Sequence, residues 1–420
     1  MVEVNLFSRF MVMVLPVVVI MAGCEKKLPE FECRDEIGCV SLSPGDPVKI
    51  GVLQAVSGKV ATLGREQIRG LELAVAERRG QLLGRRIVFQ QEDTGCTAEG
   101  GANAVLKIIA DPKFIAIFGT TCSGAAATAS KAMSDAGLTM VSGNNSAPFL
   151  TAVADRRAPN WQEGYFRTAG NEEHSGKAAA IYAYMELGIR RAATINDGDI
   201  YTKGLTDGFI KAFETLGGDI VLNTAVNKGD RQMKPVLTAV LNADAQMLFF
   251  PLFQPEGNYI LLQTREIDTF RDIVLMGGGA LIDNTFLNMV GDKAKGMYFV
   301  GPASLKNKDA DSLLEKYRET FKTPPSVFYF LSGYDAANLL FQSIEKAAVT
   351  GEDGTLHIGR RALRDMLYST RDFNGVTGSL SCDEFGDCAP PRFNVLQLED
   401  VAAGLEGLRS NVKFLYAPEN

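Results

Sequence analysis

Phe114-Ile115-Ala116-Ile117-Phe118-Gly119 is an unbroken apolar run of strand length, followed by Thr120-Thr121-Cys122 and then by small residues from Ser123 to Ala136. A strand wetted on one side alternates polar with apolar residues. This one does not, so both of its faces should be buried. The small-residue stretch after it reads as a helix. The same strand-then-helix pattern recurs on either side. Val48-Lys49-Ile50-Gly51-Val52-Leu53 precedes a helix through Ile68, Leu71 and Val75, and the strand from Arg86 to Gln90 precedes a helix from Ala98 to Ala110. Leu138-Thr139-Met140-Val141 closes the series. Strand–helix alternation with continuous apolar strands predicts a parallel sheet covered by helices on both faces.

A second series follows Arg167. It runs through a helix from Ser175 to Leu187, a strand at Ala192–Ile195, a helix from Thr202 to Leu216 and a strand from Asp219 to Leu222. Met247-Leu248-Phe249-Phe250 and Ile273-Val274-Leu275-Met276 are further strands, with a helix from Glu256 between them. The fold class is therefore α/β, with two doubly wound, Rossmann-like lobes enclosing a cleft. Ligands of such sheets bind beyond the carboxyl ends of the strands, so the loops there are the candidate site.

Four of those loops stand out. Gly119-Thr120-Thr121-Cys122-Ser123-Gly124 opens a helix, whose free N–H groups and dipole suit an anion such as a carboxylate. The plainer alternative is that Ser123 or Thr121 only caps the helix. Ser142-Gly143-Asn144-Asn145-Ser146-Ala147-Pro148 is dense in short donors and acceptors, which a turn could equally use on itself. Asn196-Asp197-Gly198-Asp199-Ile200-Tyr201 brings a tyrosine to the start of a helix, and Phe250-Pro251-Leu252-Phe253-Gln254-Pro255-Glu256 sits between strand and helix. Gly277-Gly278-Gly279 permits close backbone approach, yet it makes no G-x-G-x-x-G phosphate fingerprint, because Ile282 occupies the last position.

The N-terminus is of another kind. After Arg9 an uncharged run of about 13 residues extends from Phe10 to Ala22, too short for a span of ~20 helical residues. It has the size of a secretory signal core closed by small residues. Met21-Ala22-Gly23-Cys24 resembles the bacterial lipobox, with Met21 in place of the usual leucine. That implies cleavage after residue 23 and a diacylglyceryl thioether on Cys24; an ordinary signal peptide cleaved near Ala22 is the alternative. Residues 24–47, polar and containing Pro29, Pro44 and Pro47, read as a tether.

Seven cysteines leave six once Cys24 is set aside, and exported chains tend to pair them. Fifteen pairings are possible. Proximity favours Cys33–Cys39 and Cys382–Cys388, with Cys96 and Cys122 remaining. No C-x-x-C occurs and His174 and His357 lie near no cysteine, so no metal site is expected. The 420 residues are 46% hydrophobic and 22% charged with a net charge of −7, which argues against nucleic acid. No G-x-S-x-G, G-x-x-x-x-G-K-[ST] or H-E-x-x-H motif occurs, and two histidines offer few general bases. A non-enzyme without cofactors is expected.

Glu92-Asp93-Thr94-Gly95-Cys96, Phe118-Gly119-Thr120-Thr121-Cys122-Ser123, Arg167-Thr168-Ala169-Gly170 and Gly333-Tyr334-Asp335-Ala336 together resemble the leucine/isoleucine/valine-binding protein family, from about Val48 to about Leu398. These are type I periplasmic binding proteins serving ABC importers. The resemblance implies a Cys96–Cys122 disulfide and three crossings between the lobes. It places the first lobe at 48–169 plus 300–376 and the second at 170–299 plus 377–412, after a 1–23 signal peptide and a 24–47 tether. It implies that Ser123 and the Asn144-Asn145-Ser146 turn hold a ligand carboxylate, with Ser146 also touching an amino group. Tyr201 and Phe253 would cover the ligand from the second lobe, and Leu63, in the loop after the first strand, would touch its side chain. The family's amino-acid binders carry a glutamate for the ligand ammonium where this chain has Gly279. Asp283 or Glu256 could replace it, or the ligand could lack the amine. The implied function is capture of a branched-chain or related amino acid by an exported, lipid-anchored protein that delivers it to an ABC permease. The alternative is a sensing module that hands a small amide or carboxylate to a separate receptor.

Overall fold

A computed structural model of the chain describes residues 31–303 and 307–418. The expected signal peptide and Cys24 lie outside the described residues. In the first sheet β2 (Val48–Gln54) lies between β4 (Arg85–Asp93) and β5 (Phe114–Gly119). Beyond β5 come β6 (Met140–Ser142) and β9 (Tyr165–Arg167), all parallel, while the short β3 (Gln81–Leu82) runs antiparallel at the outer edge. Helices α2 (Ala98–Ile109) and α3 (Ser123–Asp135) cover one face, over Leu53 and Ile117. Helices α1 (Ala61–Glu77) and α10 (Tyr329–Ala347) cover the other, over Val52 and Phe118. Both faces of β5 are thus buried, as its unbroken apolar run requires. The α2–α3 contact depends on Gly101, where a Cβ would lie 2.3 Å from the carbonyl oxygen of Ala125. A two-stranded ribbon of β7 (Ala152–Val153) and β8 (Arg156–Arg157) precedes β9.

The second sheet has the order β11 (Asp219–Ala225), β10 (Arg191–Asn196), β12 (Met247–Phe250), β13 (Val274–Gly277), β14 (Tyr298–Pro302), β19 (Phe393–Gln397) and β20 (Val412–Tyr416). The first five are parallel, β19 runs antiparallel to β14, and β20 runs antiparallel to β19 and so returns to the direction of the first five. Helices α4 (Glu173–Ile181) and α5 (Ile200–Thr215) pack on one face. The other face carries α6 (Lys234–Asn242), α7 (Glu256–Thr264), α8 (Asn284–Val290) and α12 (Gly404–Ser410). The chain passes between the sheets after Arg167, after Pro302 and after Cys388.

Two boundaries differ from expectation. Residues 39–42, expected as tether, form β1 (Cys39–Leu42), which pairs antiparallel with β16 (Leu356–Gly359); β15 (Ala348–Thr350) completes this small sheet. The alternation of Val40 and Leu42, both buried, with exposed Ser41 is what seats it on the first lobe. Residues 377–388, expected in the second lobe, stay with the first. There β18 (Gly378–Leu380) pairs with β17 (Phe373–Gly375), the N–H of Arg167 donates to Gly386 O, and that of Cys388 to Arg167 O. Leu380, Cys382 and Cys388 bury their apolar surface in the cluster that holds Phe166. Helices α9 (Lys308–Phe321) and α11 (Arg360–Tyr368) complete the outer layer. Disulfides join Cys33–Cys39, Cys96–Cys122 and Cys382–Cys388.

Candidate ligand-binding site

Helix α3 starts without a side-chain cap. Its N-cap residue, Cys122, is extended, and its sulfur is committed to Cys96. The first N–H groups of a helix have no partner within it, so this end presents donors and the positive end of the dipole. Ser123 does not cap the helix either. Its Oγ accepts from the N–H groups of Ser146 at 3.3 Å and Ala147 at 3.2 Å, tying α3 to the turn after β6. Asn144 Nδ2 donates to Thr121 O at 2.9 Å, which fixes the same turn from its other side.

Leu63, Thr121, Ser123, Asn144 and Ser146 form one wall of a small cavity with about 20 Å³ of free space. Tyr201, Phe253 and Ala280 form the facing wall, and Tyr329 at the start of α10 closes one end. Apart from Leu63 and Tyr329, these residues follow the ends of β5, β6, β10, β12 and β13, where an α/β sheet places its ligands. The Tyr201 and Phe253 rings lie 4.9 Å apart, and the Tyr201 hydroxyl accepts from Ala280 N at 3.3 Å. The walls meet around the cavity: Thr62 Oγ1 donates to Asp283 Oδ2 at 2.9 Å across the cleft. A Cβ on Gly204 of α5 would stand 2.8 Å from Pro148 Cδ.

Six of the eight residues expected at the site are therefore brought together. Leu63 lies in the first turn of α1 and not in a loop, because that helix begins at Ala61. Asn145 is buried behind the wall, where its Oδ1 accepts from Thr120 N, Thr120 Oγ1 and Tyr165 Oη at 3.0–3.2 Å. Gly279 stands beside the cavity without lining it. Asp283 and Glu256, the expected substitutes for a glutamate there, are engaged elsewhere. Asp283 accepts from Thr285 N at the start of α8, and Glu256 Oε1 accepts from Gly229 N at 2.6 Å.

The carboxylate that does reach this region is Glu172, which sequence reasoning missed. It precedes α4, is 2% exposed, and accepts from Ser146 Oγ at 2.8 Å. Burial pushes its carboxyl up to about 7, against the Ser146 hydrogen bond and the Arg167 charge, which pull it down. Burial first, and then the Glu172 charge, raise the phenols of Tyr201 and Tyr329, so both rings lie within its field. Arg167 is paired with Asp387 and donates to Ala147 O at 2.7 Å, holding the turn that carries Ser146. Glu172 follows a strand end, so the same reasoning that singled out the other loops applies to it. Tyr329 follows no strand and left no comparable signal. Among the described residues no group of three or more His, Cys, Asp or Glu is placed to hold a metal ion, and no helix is long and apolar enough to cross a membrane.

Residues 47–387 match the profile of the periplasmic binding protein family. The chain is 26% identical over 368 residues to Leu/Ile/Val-binding protein homolog 3 of Brucella melitensis, covering 87% of this chain and 94% of that protein. It superposes on a leucine-binding protein of Thermotoga maritima with a TM-score of 0.75 at 23% identity, over 88% of this chain and 99% of that one. A solute-binding protein of an ABC transporter from R. palustris, solved with benzoate, superposes with a TM-score of 0.74 at 22% identity, over 89% and 97% of the two chains. Both likenesses show the fold.

Proposed function

The chain belongs to the periplasmic binding protein family, whose members bind substrates outside the cytoplasm without transforming them, and we propose that it captures an amino acid for an ABC importer. The amino-acid class follows from the Leu/Ile/Val ligands in the name of the Brucella relative. The observation that carries this reading is that an uncapped helix start opens on the cavity whose lining Ser146 is hydrogen-bonded to the buried carboxylate of Glu172. The ligand carboxylate takes the N–H groups at the start of α3 and the Ser123 hydroxyl. The ammonium takes Ser146 Oγ and Glu172, which supplies the countercharge absent at Gly279. A buried ammonium without one would be strongly disfavoured.

Tyr201 and Phe253 belong to the opposing lobe and cover the ligand. Only the closed form makes both sets of contacts, so binding biases a hinged equilibrium toward closure. In this reading the first lobe comprises residues 39–169 and 307–388, and the second comprises 170–302 and 393–416. Cys24 carries the lipid that keeps the protein beside its permease.

Calorimetry on the purified full chain with leucine, isoleucine and valine, for wild type and Ser146→Ala, tests the assignment. The variant should bind roughly 1 to 3 kcal/mol more weakly, the penalty for an unmade charge-assisted bond. Equal affinity in a folded variant would put the ligand elsewhere.

A further inference from the structure

Beyond Tyr329 lies a second, half-open chamber with about 130 Å³ of free space, which the contacts above leave unused. The two spaces share the Tyr329 side chain as a wall, and adjacent residues of one turn, Gly279 and Ala280, face the chamber and the cavity respectively. The free space in the cavity alone, about 20 Å³, is little more than a single water needs. The chamber is walled mainly by apolar groups, among them Ile282, Pro302, Val327, Phe328 and Leu396. Its volume depends on residues that lack side chains. At Gly279 a Cβ would stand 3.1 Å from Tyr329 Oη and 3.5 Å from Pro302 Cδ, so any larger residue would grow into the chamber. Arg409 also lines this space, its guanidinium 3.7 Å from the centre of the Phe328 ring. Burial lowers its pKa to about 10, as expected of a cation held against apolar walls.

We propose that the ligand is an amino acid with a bulky aromatic side chain, which passes Tyr329 into this chamber and lies against Phe328 and Arg409. The proposal rests on the reading of the cavity as an amino-acid site. An aromatic ring fits on three counts. It supplies apolar area to match the walls, it can pack against Phe328, and its face attracts a guanidinium without adding charge. A leucine side chain is shorter and has no ring face to offer Phe328 or Arg409.

The test is calorimetry on the full chain with L-leucine, L-phenylalanine and L-homophenylalanine, for wild type and Gly279→Leu. Wild type should bind the two aryl amino acids at least ten-fold more tightly than leucine. Gly279→Leu should lower the ratio of phenylalanine to leucine affinity by ten-fold or more. Ile282→Phe fills the same space from the following residues and serves as second variant should the first melt early. Leucine binding as tightly as the aryl ligands, or an unchanged ratio in both variants, overturns the aromatic assignment alone. Binding of none of the three by folded wild type overturns the amino-acid reading with it.

Discussion

Glu172 holds its proton to a pH where an exposed carboxylate would have lost it, because burial outweighs the Ser146 hydrogen bond and the charge of Arg167. Its ordinary value is 4.5 and its folded value about 7. The group therefore favours the folded chain fully below about 4.5, and that contribution is lost as pH rises through about 7. A shift of this size corresponds to roughly 3 kcal/mol. Glu172→Gln should remove it. Melting temperatures of the unliganded protein between pH 4 and 8 should fall more steeply for wild type than for the variant, and parallel curves would refute the assignment. Asp335 and Asp383, each raised to about 6 by burial, titrate in the same window in both proteins, so the difference between the curves is the readout. An ammonium beside Glu172 reverses the shift. Amino-acid binding near pH 6 should release a proton, visible as a dependence of the calorimetric heat on the buffer.

At the scale of elements, the Cys96–Cys122 disulfide does two things. It closes a loop of sequence separation 26 that contains α2, and it fixes the residue at which α3 begins. The chain-entropy model gives a loop of this length roughly 3 to 4 kcal/mol. The double variant Cys96→Ala/Cys122→Ala should lose about that much in a denaturant titration, and should also bind its ligand more weakly because the donors at the helix start are no longer held. A loss below about 1 kcal/mol would mean that the strand–helix packing alone sets this end of α3. The small sheet of β1, β15 and β16 shows how weak element-level signals can be. Val40 and Leu42 are only two apolar residues in a polar segment, and their alternation became readable once β16 lay beside them.

At the scale of the whole molecule, the two lobes meet around the cavity through Thr62–Asp283 and through one apolar cluster that includes Leu150, Tyr201 and Phe253. This is the closed arrangement that a captured ligand would favour. In the proposed reading, Cys24 decides where the molecule works. Wild type expressed in a bacterium should fractionate with membranes and incorporate labelled palmitate, while Cys24→Ser should appear soluble and unlabelled. A soluble, unlabelled wild type would leave an ordinary signal peptide as the account of residues 1–23.

Local pattern was enough for the architecture. Unbroken apolar strands such as Phe114–Gly119, each followed by a helix, have few alternatives to a parallel sheet covered on both faces. Strand ends then pointed to the loops that carry Ser123, Ser146, Tyr201 and Phe253, because ligands of such sheets bind there whatever their chemistry, and the family resemblance picked those residues out of the loops. The tertiary structure decided what no local pattern encodes, namely which groups from distant segments share one space. Asn145 looked like its neighbours and was turned inward by Thr120 and Tyr165. Glu172 was brought up behind the cavity by Ser146, 26 residues before it in the chain, and Tyr329 reached the cavity through the return crossing of α10. The physical reason is that the apolar pattern along a segment records burial, whereas the partner of a buried polar group is set by how the segments pack.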